Sequence, residues 1–408
     1  MKEKIAIIGL GYVGLPLSVE FAKKYDVTGF DIHKERVDNL NIFKDLNHEF
    51  SDSELEIALK NINFIFTSEI SQLSNCNIFI ITVPTPIDEN KKPNLYPLLS
   101  ASQMIGKLLK KDDIVIYEST VYPGCTEEDC VPVLEKESGL IYNQDFYCGY
   151  SPERINPGDK VRKLKDIVKV TSGSNAEIAK KVDDLYNSII VSGTHLAPSI
   201  KVAEASKAIE NAQRDINISF VNELVLMFDK MDIDTSDVLE AANTKWNFLP
   251  FKPGLVGGHC IGVDPYYLAY KSEKMGYHPS VILSGRNVND QMGKSVASKL
   301  VKLMIQENID VKKSKVLILG ITFKENCSDI RNTKVIDVYL ELKEFGVEVE
   351  IYDPNADKME VKTEYGIDLI NEIGTDYSSV LIATSHDEFR NIESSFPSHT
   401  IFYSLNKR

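Results

Sequence analysis

No stretch of this chain approaches the roughly 18 consecutive apolar residues that a membrane-spanning helix needs. The apolar start, Ile5-Ala6-Ile7-Ile8-Gly9, is too short for the core of a secretory signal and runs straight into glycines. The expectation is a soluble protein with no membrane segment. Basic charge is in deficit, with 46 Lys and Arg against 60 Asp and Glu and a formal net charge of −14. That balance argues against a general nucleic-acid binder, because phosphate backbones demand clustered Lys and Arg. It leaves room for a local basic pocket that takes a small phosphorylated ligand. Cysteine is sparse: the 6 residues, at positions 76, 125, 130, 148, 260 and 327, show no Cys-x-x-Cys pair and no His/Cys metal spacing. Reduced thiols in a cytoplasmic protein, with no metal, are expected. There is no low-complexity segment and no convincing short repeat. What remains is ordinary globular composition, 43% hydrophobic and 26% charged, in 408 residues, enough for two or three domains.

The first 190 or so residues alternate short β-branched runs with amphipathic stretches. Strands are predicted at Ile5–Gly9, Val27–Asp31, Asn63–Thr67, Asn77–Thr82, Asp113–Glu118, Phe146–Tyr150 and Ile167–Thr171. Helices are predicted at Leu15–Lys24, Ser53–Lys60, Tyr96–Leu109 and Ala176–Asn187. Such alternation implies a parallel, doubly wound α/β sheet. Pro198 opens a long helical pattern to about Lys230, with Ile209, Ala212, Ile216, Phe220, Leu224 and Phe228 on one apolar stripe. A helix this long usually spans a molecule or mediates an interface. A loop rich in Pro and Gly, Leu249 to Pro265, precedes more helix to about Gln306. A second βαβ pattern follows, with strand Val316–Gly320, helix Lys334–Phe345 and strand Glu348–Asp353. The fold class is therefore α/β, two Rossmann-like doubly wound domains joined by a central helical domain.

Two features carry chemistry. Gly9-Leu10-Gly11-Tyr12-Val13-Gly14 follows a strand, opens a helix, and precedes a second strand that ends in Asp31. This is the full context of a dinucleotide fingerprint. Gly9 and Gly11 allow the tight turn and close backbone approach to a pyrophosphate at the helix N-terminus. Asp31 accepts from the adenine ribose and would repel a 2′-phosphate, so NAD is favoured over NADP. Val83-Pro84-Thr85-Pro86 follows another strand end, where ligands of such sheets bind. The second feature is Cys260, framed by Gly257, Gly258 and Gly262. Those glycines read as close backbone approach to a ligand with little packing. A nicotinamide enzyme that only interconverts alcohol and carbonyl needs no thiol. One that carries an alcohol to a carboxylate gains from one, since an aldehyde held as a thiohemiacetal can lose a second hydride and become a thioester. Lys207 and Asn211 stand four apart on the long helix and share a face, where a cation and an amide can hold an oxyanion.

The ordered set Gly-x-Gly-x-x-Gly, Ser119-Thr120-Val121, Ser151-Pro152-Glu153-Arg154, Lys207-x-x-x-Asn211, Gly257-Gly258-x-Cys260-x-x-x-Asp264 and Thr322-Phe323-Lys324 resembles the UDP-glucose/GDP-mannose dehydrogenase family along almost the whole chain. Those enzymes oxidise the C6 alcohol of a nucleotide sugar to the uronic acid with two NAD. The resemblance implies Cys260 as nucleophile, Lys207 and Asn211 as oxyanion stabilisers, Asp264 and Thr120 as holders of a water, and Glu153 as acid/base partner in thioester hydrolysis. It implies NAD contacts at Gly9, Gly11, Tyr12, Val13, Gly14, Asp31, Arg36, Thr85, Thr120 and Arg331. Substrate contacts are implied at Glu153, Arg154, Lys207, Asn211, Gly257, Gly258, Phe323 and Lys324. It further implies three segments: an NAD-binding domain at 1–195, a helical dimerisation domain with the Cys loop at 196–305, and a UDP-sugar-binding domain at 306–408. A homodimer or higher oligomer, with a UDP-sugar as the only other partner, is expected.

Within the family, glucose-type enzymes usually read Gly-Phe-Gly-Gly-Ser-Cys-Phe-x-Lys-Asp. Here Val256-Gly257-Gly258-His259-Cys260-Ile261-Gly262-Val263-Asp264, with Thr244-Lys245-Trp246-Asn247-Phe248-Leu249-Pro250, is similar to the UDP-N-acetylhexosamine 6-dehydrogenases. His259 reads as structural, since adjacent loop residues seldom face the same atom. Arg154 reads either as a specificity contact or as half of an ion pair. Two departures limit the transfer: Thr244 stands where glucose-type enzymes supply a substrate arginine, and relatives usually continue past Ser404, so C-terminal contacts are not carried over and Lys407 and Arg408 read as a solvated tail. UDP-glucose oxidation, a simple 3-hydroxyacid dehydrogenase and a non-enzymatic NAD-binding regulator are the competing readings. The hydroxyacid dehydrogenase would need no Gly-framed Cys260 and no second α/β domain, and loss of one of Cys260, Lys207, Glu153 or Asp264 would suggest the regulator, whereas all four are present.

Overall fold

A computed structural model describes residues 3–47, 49–61, 63–155, 162–258 and 261–405. His259, Cys260, Lys407 and Arg408, singled out from the sequence above, lie outside the described residues. The chain folds as two compact units, 1–210 and 211–408.

In the first unit, β1 (Lys4–Ile8), α1 (Gly14–Ala22), β2 (Asp26–Phe30), α2 (Lys34–Asn41), α3 (Asp52–Leu59) and β3 (Phe64–Thr67) form one half. The other half holds β4 (Ile78–Ile81), α4 (Tyr96–Gly106), β5 (Ile114–Tyr117), α5 (Val131–Ser138) and β6 (Tyr147–Tyr150). The six strands pair in the order β3-β2-β1-β4-β5-β6, all parallel. That order reverses between β1 and β4, which makes their carboxyl ends the place where a doubly wound sheet binds its ligand. β1 and β4 are apolar runs, fully buried from Ile5 to Ile8 and from Ile78 to Ile81, as a sheet covered on both faces requires. α3 starts where Ser51 and Glu54 form a reciprocal capping box, and α5 ends at Gly139, whose φ of 72° supplies the left-handed cap.

The strand expected at Ile167–Thr171 is shorter, β7 (Lys169–Thr171), and it lies outside the main sheet. It pairs in parallel with β8 (Thr194–Leu196), on the far side of α6 (Ala176–Asn187). The 30-residue α7 (Ile200–Asp229) follows, roughly 45 Å at 1.5 Å per residue.

In the second unit, α8 (Thr235–Asn243), α9 (Asp264–Lys274) and α10 (Ser280–Gln306) precede β9 (Lys315–Leu319), α11 (Val335–Glu344), β10 (Glu348–Tyr352), α12 (Lys358–Tyr365), β11 (Ser379–Ile382) and β12 (Ile401–Ser404). The strands form a second parallel sheet, β10-β9-β11-β12, which reverses between β9 and β11. Its core joins Val316 and Ile318 to Met292, Val296 and Leu300 of α10.

The seam of α7 on α10 is polar. Asp215 Oδ1 pairs with the buried Arg286 guanidinium at 2.6 Å and accepts from Asn289 Nδ2 at 2.7 Å. Asn289 Oδ1 accepts from Asn222 at 2.8 Å. Asn222 in turn donates to Gly254 O at 3.0 Å and accepts from Gly254 N at 2.9 Å. A buried charge without its partner is costly, so Arg286→Met is expected to destabilise the protein by about 3–5 kcal/mol. Adding Asp215→Asn should return much of that loss, read as the urea midpoint of the full chain by circular dichroism.

Candidate active site

At the β1/β4 reversal the chain turns at Gly9, whose φ is 96°, and Gly9 N–H donates to Phe30 O at 2.8 Å. Asp31, the residue after β2, accepts from Leu10 N at 2.8 Å and from His33 N at 2.9 Å. One carboxylate thus fixes the glycine turn to the neighbouring strand end. Position 14 has no room for a side chain, because a Cβ there would lie 1.8 Å from Gly9 O. Position 11 faces open space, with nothing within 4 Å of such a Cβ. Tyr12 and Val13 lead into α1, which has no acidic residue in its first turn, so its positive end is unopposed.

Arg36 lies beneath this turn. Its Nε donates to Leu10 O at 3.0 Å and its Nη1 pairs with buried Asp45 at 2.7 Å. Its Nη2 is buried and lacks a hydrogen-bond partner among the described residues. The loops after β4 and β5 are tied together: Thr85 Oγ1 donates to Thr120 O at 2.7 Å and Ser119 Oγ to Val83 O at 2.6 Å.

Glu153 is held from two sides. Its Oε1 accepts from the backbone N–H of Arg154 and Ile155, both at 2.6 Å, and its Oε2 pairs with Lys169 Nζ at 2.9 Å. Arg154 forms an ion pair: its Nη2 lies 2.7 Å from Glu210 Oε1, and its Nη1 donates to Val168 O at 2.8 Å. Lys207 is buried on α7, at 7% exposure.

In the second unit, Asn211 and Asp264 meet. Asn211 Nδ2 donates to Asp264 Oδ2 at 2.5 Å, and Asp264 is buried as the first residue of α9. Gly257 and Gly258 have a role the sequence reading did not give them. A Cβ at Gly258 would lie 2.8 Å from the Phe323 ring, and one at Gly257 would lie 2.6 Å from Asn332 O. The two glycines therefore pack tightly against the loop after β9, where little packing was expected. Thr322 Oγ1 in that loop donates to Lys324 O at 3.0 Å. Arg331 is paired with Asp329 at 2.5 Å, and Thr244 caps the exposed end of α8.

Three family models match in order: the NAD binding domain of the UDP-glucose/GDP-mannose dehydrogenase family over residues 3–190, the central domain over 201–291, and the UDP binding domain over 317–402. The chain belongs to the UDP-glucose/GDP-mannose dehydrogenase family. It is 57% identical over 397 residues to the UDP-N-acetyl-D-glucosamine 6-dehydrogenase of Pseudomonas aeruginosa, covering 96% of this chain and 93% of that one. It is 56% identical over 394 residues to the enzyme of the same name from Salmonella typhi, covering 96% and 92%. Among solved structures, the UDP-D-ManNAc dehydrogenase of Pyrococcus horikoshii superposes with a TM-score of 0.88 at 28% identity, over 99% of each chain.

As a member of this dehydrogenase family, the chain is an NAD-dependent oxidoreductase, and its first unit fits that cofactor. The open face at Gly11, the unopposed N-terminus of α1, the Asp31 carboxylate and the unpartnered Arg36 Nη2 supply what a pyrophosphate and a ribose bind.

Several residues of this dehydrogenase were not singled out from sequence. Buried Glu204 accepts from Gly124 N at 2.5 Å and Thr126 N at 2.9 Å, which anchors the segment after Thr120; burial pushes its carboxyl up to about 7. Buried Asp353, after β10, accepts from Ile321 N at 2.7 Å and Thr322 N at 3.1 Å, the counterpart in the second sheet of Asp31 in the first. His386 Nδ1 accepts from Asn326 N at 2.9 Å, which leaves Nε2 to donate toward Asp353 at 3.1 Å. Lone charged residues far apart in sequence gave no signal for any of these.

The two fingerprint positions separate folding from binding. Gly14→Ala is expected to fold poorly, because backbone must move. Gly11→Ala should melt like the wild type yet bind NAD at least about tenfold more weakly, since its methyl occupies ligand space; isothermal titration with NAD and a thermal melt check both.

Proposed function

We propose that this chain oxidises the C6 alcohol of a UDP-N-acetylhexosamine, UDP-N-acetyl-D-glucosamine foremost, to the uronic acid in two hydride transfers. The observation that carries the reading is the buried Asn211–Asp264 pair, 2.5 Å apart, with Asp264 four residues after Cys260. The names of the relatives at 57% and 56% identity support the substrate.

NAD, when bound, accepts the hydride in each oxidation. This chain's residues do the rest. The Cys260 thiolate adds to the C6 aldehyde and gives a thiohemiacetal. Loss of the second hydride leaves a thioester, and water displaces the sulfur to give the acid and the free thiol. The Lys207 ammonium and the Asn211 amide stabilise the oxygen anions. Asp264 and Thr120 hold the water of proton transfer, and Glu153 takes the proton when water attacks the thioester. Gly257, Gly258, Phe323 and Lys324 shape the nucleotide-sugar site. Arg36, Thr85 and Arg331 belong to the cofactor side.

We further assign residues 1–195 to NAD binding, 196–305 to the helical segment with the Cys loop and 306–408 to the UDP moiety. On α7, Ile209 and Phe220 are exposed and Ile216, Leu224 and Phe228 only half-buried, an apolar stripe that suits a homodimer. The described cysteines are free thiols, and among the described residues no helix is long and apolar enough to cross a membrane. We place the reaction in the cytoplasm, supplying an aminouronic acid for polysaccharide synthesis.

Cys260→Ala is expected to cut formation of the acid from UDP-N-acetylglucosamine by more than about a thousandfold while NAD binding is kept. Full turnover to the acid by this variant would overturn the thioester scheme.

A further inference from the structure

Lys169 opens β7 and is 2% exposed. A lysine so deep needs counter-charge, and it has two carboxylates: Glu118 Oε2 at 2.6 Å and Glu153 Oε2 at 2.9 Å. Glu118, directly after β5, is itself buried and accepts from the Tyr186 hydroxyl of α6. The Lys169 ammonium also lies 5.5 Å from the centre of the Tyr186 ring. Glu118 and Tyr186 thus fix the ammonium from behind, and its remaining N–H points at Glu153.

We propose that Lys169 is a positioning residue for the reaction: clamped by Glu118 and Tyr186, its ammonium holds Glu153 in place as the base of thioester hydrolysis. The inference rests on the role given to Glu153 above. Three donors converge on that carboxylate, the Lys169 ammonium and the backbone N–H groups of Arg154 and Ile155. All three hold it in one orientation. Arg154 adds little, because its guanidinium is committed to Glu210. The groups facing Glu153 are therefore Lys169 from β7, Glu118 from the end of β5, Tyr186 from α6 and the Arg154–Glu210 pair. Burial works against a charged Lys169, but Glu118 and then Glu153 outweigh it and hold the ammonium above its ordinary value.

Lys169→Met leaves Glu118 as a buried, unpaired carboxylate and endangers folding. The double variant Glu118→Gln with Lys169→Met keeps volume and leaves no such charge. Steady-state NADH formation from UDP-N-acetylglucosamine should show kcat at least about tenfold lower in the double variant. KM for NAD should change less than about twofold, and Lys169→Arg should return kcat toward wild type. Rapid mixing should show an undiminished burst of NADH followed by slow turnover, with an acyl adduct on Cys260 by mass spectrometry.

A folded double variant with kcat unchanged, or with the burst lost, would overturn the role of Lys169. That outcome leaves the reading of the site standing, whereas normal turnover by Cys260→Ala removes that reading whatever Lys169 does.

Discussion

The cofactor half of this molecule depends on one steric fact: the backbone of Gly14 passes so close to Gly9 O that no side chain fits between them. That contact sets the start of α1 against the turn after β1, next to Gly11, where a Cβ would meet open space. Asp31 then fixes the turn by accepting from Leu10 N, and Arg36 closes it from below through Leu10 O. The cradle is built from backbone and two charged side chains. Its shape is therefore set by the fold before any ligand arrives, which spares binding the cost of ordering it.

The second sheet uses the same device with different residues. Gly320, with φ of 86°, turns after β9 as Gly9 does after β1, and its N–H donates to Tyr352 O. Asp353 accepts from Ile321 and Thr322 N–H as Asp31 accepts from Leu10. There is no Gly-x-Gly-x-x-Gly in this loop. Instead Thr322, Asp353 and His386 form a buried polar knot that holds the backbone carrying Phe323 and Lys324. Buried polar networks of this kind act as rigid supports when every member is satisfied. Phe323 then seats the two glycines that precede Cys260.

Legibility from sequence followed the distance between partners. The glycine fingerprint is local, so its turn, its helix and Asp31 were all readable, as were α6 and the end of α10 to the residue. The Asn211–Asp264 pair was accessible only through a motif order that the family shares. Lys169, Glu118 and Glu204 were not, because each is a lone charged residue whose partners lie 16 or more positions away, and composition cannot separate a buried ion from a solvated one. The short strands β8, β11 and β12 were also unread, since three or four residues carry too little periodicity, and so was the eight-residue α12, which buries only Val361. Gly257 and Gly258 were recognised as special through their place beside Cys260, while the packing that excludes a Cβ, against Asn332 O at Gly257 and the Phe323 ring at Gly258, was not legible. The seventh strand was placed in the main sheet because alternation along the chain says nothing about which partner a three-residue strand will find.

The central claim is a double oxidation through one thiol. It is tested most directly by counting NADH formed per UDP-N-acetylglucosamine consumed, with UDP-N-acetylgalactosamine and UDP-glucose alongside. Two NADH per UDP-N-acetylhexosamine, with UDP-glucose a poor substrate, is the predicted result. One NADH per sugar, with the aldehyde released, would contradict the account.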